Sequence, residues 1–208
     1  MNKMIPVLLV MMMSLSGLAF ASDQPMDALQ KPIDEVISIL KDPQYQDAAQ
    51  KEVQGEKIWN IIQKVFDFDR IAKLALGKYR KNFSDEQLKT FSGHFARLIE
   101  DTYLNKIQAE YKNEKVNYLE QKIRGDKALV TTEVVREHIK IPVDYLMYSD
   151  NDLWRVYDVK VEKVSLVKNY RSQFERVLGD ESKTPDQLIE QVREKLEKQK
   201  KGKNGANK

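Results

Sequence analysis

Apolar residues recur along this chain with a helical period, then a strand period, then a helical period again. Between Pro25 and Lys41, Leu29, Ile33, Val36, Ile37 and Leu40 fall three or four apart, the stripe of an amphipathic helix. Pro43 restarts the chain, and a second helix is expected to about Val65, with Val53, Ile58, Ile61, Ile62 and Val65 on one side. Asp67-Phe68-Asp69 breaks that period and leads into a short helix, Arg70 to Leu76, with Gly77 as C-cap. Ser84 followed three residues later by Gln87 is a capping box. It opens the longest helix, to about Tyr111, striped by Leu88, Phe91, Phe95, Leu98, Ile99, Tyr103 and Ile107.

The period then changes. Residues 115–124 and 127–139 alternate apolar with polar around Gly125-Asp126, a hairpin turn, and Ala128, Val130, Thr132 and Val134 share one face. Residues 141–148 and 153–161 alternate likewise across Ser149-Asp150-Asn151-Asp152. Val143, Tyr145 and Met147 point one way, as do Trp154 and Val156. A tight corner at Ser165 precedes a helix from about Leu166 to Leu178. The last helix starts at Thr184, with Pro185 at N1 and Gln187 at N3. Helices, then a four-stranded antiparallel meander, then helices make an α+β layout with the helices stacked on one sheet face.

Composition narrows the function classes. With no cysteine, disulfides, thiol catalysis and thiolate metal sites are excluded. The net charge of +3 is near neutral for a chain with 32% charged residues, and no basic stripe of the nucleic-acid-binding kind is present. Met1-Asn2-Lys3, an uncharged run from Met4 to Phe20, and Ala19-Phe20-Ala21 read as a signal peptide over 1–21, cleaved after Ala21. The expected organisation is one domain, 22–197, followed by a Lys-rich disordered tail, 198–208.

An enzyme needs a constellation of reactive groups, and none assembles. His94 and His138 stand apart without ligand spacing, which predicts no metal site. Ser165 lacks the Gly-x-Ser-x-Gly elbow of a hydrolase. Asp67 and Asp69 are explained by capping the helix that follows, and Asp158 by a structural hydrogen bond within its strand. What remains is a surplus of large apolar side chains. Periodicity does not distinguish a solid core from a lined cavity.

Several segments in their order resemble one family. They are Phe66-Asp67-Phe68-Asp69-Arg70, Leu74-Ala75-Leu76-Gly77-Lys78-Tyr79, the capping box with Phe91 to Tyr103, Val143-Asp144-Tyr145, Trp154-Arg155-Val156-Tyr157-Asp158-Val159, Val164-Ser165-Leu166-Val167, and Asn169-Tyr170-Arg171-Ser172-Gln173-Phe174. Over about residues 30 to 190 the chain resembles the periplasmic phospholipid-carrier family of the maintenance-of-lipid-asymmetry pathway (MlaC), also called the toluene-tolerance family. It departs at Arg80, where members often carry Trp, and at Leu153 and Lys163, where Gly is common. These departures bear on turns and on the pocket rim.

The resemblance implies an NTF2-like fold with an apolar lipid cavity between sheet and helices. It implies a non-enzymatic carrier that needs no cofactor and holds a phospholipid as cargo. The implied partners are an outer-membrane lipoprotein–porin complex and an inner-membrane ABC transporter with its periplasmic MCE-domain subunit. The expected walls are Phe66, Phe68, Leu74, Phe91, Phe95, Leu98 and Tyr103 from the helical half; Val130, Val134, Val143, Tyr145, Met147, Trp154 and Val156 from the sheet; and Leu166 and Tyr170 beyond it. Lys78, Arg80 and Arg171 are the expected rim. Two buried acyl chains of about 15 carbons would represent on the order of 20 kcal/mol gross. A periplasmic chaperone or adaptor binding apolar protein segments is the alternative.

Overall fold

The structure, a computed structural model, describes residues 24–206, with side chains as far as Gln199; the expected signal peptide, 1–21, lies outside the described residues. Helices α1 (Pro25–Lys41), α2 (Lys51–Val65), α3 (Phe68–Leu76) and α4 (Asp85–Glu110) come first. Strands β1 (Lys115–Arg124), β2 (Lys127–Arg136), β3 (Ile139–Asp150), β4 (Leu153–Val161) and β5 (Val164–Ser165) follow, then α5 (Leu166–Leu178) and α6 (Pro185–Ala206). The strands form one antiparallel sheet in sequence order. It has five strands where the sequence predicts four. The corner at Ser165 is itself extended and pairs Lys160 with Ser165 and Val161 with Val164 before α5 begins.

Local chemistry fixes the helix ends. The Ser84 hydroxyl accepts from the Gln87 N–H while the Gln87 side chain accepts from the Ser84 N–H. Thr184 and Gln187 make the same reciprocal pair at the start of α6. Helix α3 begins at Phe68, two residues earlier than predicted, because the Asp67 carboxylate accepts from the Arg70 N–H and serves as N-cap. Helix α6 extends to Ala206. Residues 195–201 are all good helix formers, so the helix propagates. Strand β2 ends at Arg136 and β3 begins at Ile139, because Glu137 (φ 53°) turns the chain at Glu137-His138.

Register sets what each face presents. Ala128, Val130 and Thr132 of β2 pair with Met147, Tyr145 and Val143 of β3, and Met147 and Val143 pair in turn with Val156 and Val161 of β4. All but Val161, which is exposed at the end of β4, make the inner face that the helices cover. The α2–α3 junction is stitched to the sheet: Phe66 bridges Val156, and the Asp67 N–H donates to the Val156 carbonyl at 2.9 Å. The Tyr148 hydroxyl donates to the Asp67 carboxylate, and the Arg70 guanidinium lies 3.8 Å from the Tyr148 ring centroid. Arg155 donates to the Phe66 carbonyl at 2.7 Å. The Phe-Asp-Phe-Asp-Arg segment is therefore an anchor.

Three buried clusters form among the described residues, the third being Leu40, Ile58, Trp59 and Leu104 where α1, α2 and α4 meet. Helices α3, α4, α5 and α6 pack on one another around Phe91, Phe95, Tyr170 and Phe174, with Phe91 and Phe95 fully buried. Their rings meet edge-on at centroid separations of 4.8 to 5.3 Å. On the sheet, Leu29 and Val65 cover Ala128, Val130, Met147 and Val156.

Candidate functional site

Helix α1 is held at its ends and left loose in the middle. Leu29 and Leu40 are buried, whereas Ile33, Val36 and Ile37 between them are only half-buried. Pro32 sits inside this helix, where it lacks the N–H for a turn of the ladder. Polar contacts tether the helix to the edge strand β1: the Met26 N–H donates to Gln121 Oε1 at 2.9 Å, and the Tyr118 hydroxyl donates to Asp34 Oδ1 at 3.0 Å. At the far end, the fully buried Gln54 donates to the Ile39 carbonyl and accepts from Gln108, joining α1, α2 and α4.

Beneath α1 lies a cavity of about 400 Å³. Pro32, Ile33, Val36 and Ile37 of α1 face Ile61, Ile62 and Val65 of α2 across it, with Phe66 following. Helix α4 supplies Tyr103, Lys106, Ile107 and Glu110, which lie three and four apart on its C-terminal half. Val116, Val134 and Tyr145 of the sheet close the far wall. Val116 pairs directly with Val134, so the two present one apolar surface. Burial pushes the Tyr145 hydroxyl up to about 12 against an opposing interaction with Thr132, so it stays a neutral donor.

Charged and polar groups cluster at one end. There, Glu110, Tyr111, Glu114 and Arg136 join the lining. Arg136 pairs with the buried Glu114 carboxylate and donates to the Glu110 carbonyl at 3.0 Å. Burial alone would raise the Glu114 carboxyl; the N–H groups of Lys112 and of Glu114 itself, with Arg136, outweigh it and hold it below the usual carboxylate range. Apart from Tyr103, Lys106 and Tyr145 the rest of the wall is aliphatic or aromatic, as suits a hydrocarbon guest.

Of the walls expected from sequence, Phe66, Tyr103, Val134 and Tyr145 line this cavity. Phe91, Phe95, Leu98 and Tyr170 belong to the closed helical core, with Leu74 and Leu166 packed against it. Phe68 bridges that core and the α1–α2–α4 contact, its ring 4.9 Å from Trp59. Val130, Met147 and Val156 lie under Leu29 and Val65, with Trp154 beside them. Val143 is buried between its partners Thr132 and Val161.

The expected rim is placed elsewhere too. Lys78 and Arg80 are exposed on the 3-10 turn after α3, away from the cavity lining. Arg171 donates twice to the Leu74 carbonyl, at 2.9 and 2.6 Å. It thereby clamps the end of α3, where Gly77 (φ +56°) is so close that a Cβ would stand 3.3 Å from the arginine. The lining that sequence reasoning missed is the α1 and α2 stripes with Ile107 and Val116, visible as periods but not as walls, and Lys106, Glu110, Tyr111, Glu114 and Arg136.

Asp158 and Ser165 are structural. Asp158 accepts from the Ser165 hydroxyl at 2.6 Å and the Val167 N–H at 3.0 Å, while Ser165 caps α5 through the Lys168 N–H. Among the described residues no group of His, Asp or Glu is arranged to hold a metal ion, and no helix is long and apolar enough to cross a membrane.

A protein of Pseudomonas putida, toluene tolerance protein Ttg2D, is 26% identical over 186 residues, covering 88% of this chain and 86% of its own length. A phospholipid-binding protein of Ralstonia solanacearum, solved in complex with a phospholipid, superposes with a TM-score of 0.72 at 21% identity, over 85% of this chain and 99% of that one. That likeness establishes the α+β fold. The sequence model of the MlaC protein family matches residues 30–194, and the chain belongs to that family.

Proposed function

We propose that this protein is a phospholipid carrier: it buries acyl chain in the cavity beneath α1 and moves lipid through the periplasm. On this reading residues 1–21 are its export signal. Lipid passes between an outer-membrane lipoprotein–porin complex and an inner-membrane ABC transporter with its MCE-domain subunit, and no bond in it is made or broken. The observation that carries the proposal is the cavity, apolar over nearly all its wall and polar at one end. The Ralstonia solanacearum relative, whose fold this chain shares, was solved with a phospholipid.

The volume sets the scale. At about 30 Å³ for each methylene, similar to the share of a water molecule in the liquid, a cavity of about 400 Å³ takes roughly 13 methylenes. That is room for about one acyl chain. At about 0.8 kcal/mol for each methylene the gross stabilisation is on the order of 10 kcal/mol. A second chain requires the half-buried middle of α1 to move outward from α2 and the sheet. A guest held this way leaves slowly unless a docking partner opens the cavity.

The test is transport. Delipidated protein is incubated with donor vesicles carrying fluorescent phospholipid, re-isolated, and mixed with buffer or with acceptor membranes bearing the partner complexes. Uptake, slow loss into buffer and faster delivery to the partners are expected. Failure to take up lipid, with peptide binding in its place, would assign the cavity to a chaperone.

A further inference from the structure

Three tyrosines line the cavity, and two have a polar neighbour for their hydroxyls: Thr132 interacts with Tyr145, and Tyr170 with Tyr103. The third differs. The Tyr111 hydroxyl is buried, and among the described residues it has no hydrogen-bond partner. A buried phenolic O–H without an acceptor is unfavourable, and such groups in folded proteins call for an explanation. Tyr111 sits at the polar end, between α4 and β1, beside Glu114 and Arg136.

We propose that Tyr111 donates to an acyl ester carbonyl of the bound lipid, so that the polar end of the cavity recognises the junction between acyl chain and headgroup. The inference rests on the carrier reading and adds the orientation of its cargo. The chain enters the apolar end, under Ile33, Val36 and Ile62, and the glycerol backbone lies at Tyr111. Hydrocarbon alone packed against Tyr111 would leave its hydroxyl unsatisfied. An ester carbonyl is the first acceptor a phospholipid offers after its methylenes.

Neighbouring charge favours a neutral acceptor over the phosphate. The Glu114 carboxylate is buried at the same end, held ionised by the Lys112 and Glu114 N–H groups with Arg136, and its negative charge acts on Tyr111. A phosphate beside Tyr111 would face that charge at close range, whereas a carbonyl dipole would not. The phosphate is better placed further out. Lys106 is exposed on the lining face of α4 and makes no hydrogen bond or ion pair among the described residues.

The experiment compares diacyl phosphatidylglycerol with its dialkyl ether analogue of matched chains, on delipidated wild type and on Tyr111→Phe. A neutral hydrogen bond predicts that wild type binds the diacyl lipid about fivefold tighter than the ether. Tyr111→Phe should bind the two equally, and its ligand-free Tm should be no lower than wild type, because the change removes an unsatisfied hydroxyl. Equal affinity of wild type for ester and ether, or a preference surviving in Tyr111→Phe, would overturn the assignment. Equal weakening of both lipids in Tyr111→Phe would move the acceptor to the phosphate and overturn the ester reading. If wild type takes up neither lipid, the carrier reading fails and the subsite falls with it; in every other adverse outcome only the subsite falls.

Discussion

Filling the cavity from the sheet should evict the guest without unfolding the protein. Val134 lies on the inner face of β2, lines the cavity, and pairs with Val116 on one side and Ile141 on the other. In Val134→Trp the added ring system occupies roughly 90 Å³, the space of about three methylenes. Excluding three methylenes costs about 2.4 kcal/mol of transfer free energy, or roughly fiftyfold in Kd. The space is already there, so the overpacking strain of a solid core should not arise. Leu129→Trp is the control, because Leu129 is on the opposite face of the same strand, paired with Leu146. The assay is displacement of a fluorescent phospholipid from delipidated protein, with thermal unfolding alongside. Val134→Trp should lose about fiftyfold in affinity with Tm nearly unchanged, and Leu129→Trp less than twofold. A folded Val134→Trp binding within threefold of wild type would refute the placement of the acyl chain.

Other substitutions separate stability from binding. Phe95→Ala removes a fully buried ring from the helical core and should cost about 3–5 kcal/mol in denaturant unfolding; a cost below 1 kcal/mol would mean that this core is not closed. Asp158→Ala strands the Ser165 hydroxyl and the Val167 N–H, and should lower unfolding free energy by about 2–4 kcal/mol. An unchanged denaturation midpoint would contradict that structural role. The Glu114 carboxyl is held below its ordinary value in the folded state. Its contribution to stability should therefore be complete above the ordinary Glu pKa of about 4.3 and be lost as pH falls below it. Glu114→Gln should flatten that limb of the stability–pH curve, and a curve of identical shape would exclude the group as its source.

The sequence was most legible where one segment determines its own structure. The Ser84–Gln87 and Thr184–Gln187 capping pairs, the Gly77 C-cap and the alternation in β1 to β4 are local, and the structure keeps them. Strand β5 was not visible because two residues carry no period; only Lys160 and Val161 opposite make them a strand. The cavity was legible only in part, because α4 faces two environments along one stripe. Phe91 and Phe95 read the same as Tyr103 and Ile107 in sequence, yet the first pair meets α5 and the second meets empty space beneath α1. The deciding information is which helix lies opposite, and that is tertiary. The polar end was hidden for a related reason. Tyr111, Glu114 and Arg136 come from a helix end, a connection and a strand end, and only folding brings them together.

The central claim concerns what the space beneath α1 contains when the protein works. Native mass spectrometry of protein purified from cells, before and after organic extraction, measures this directly. The account predicts a mass excess matching a phospholipid that disappears on extraction and is greatly reduced in Val134→Trp. Identical masses before and after extraction, in protein that also takes up no lipid from vesicles, would contradict it.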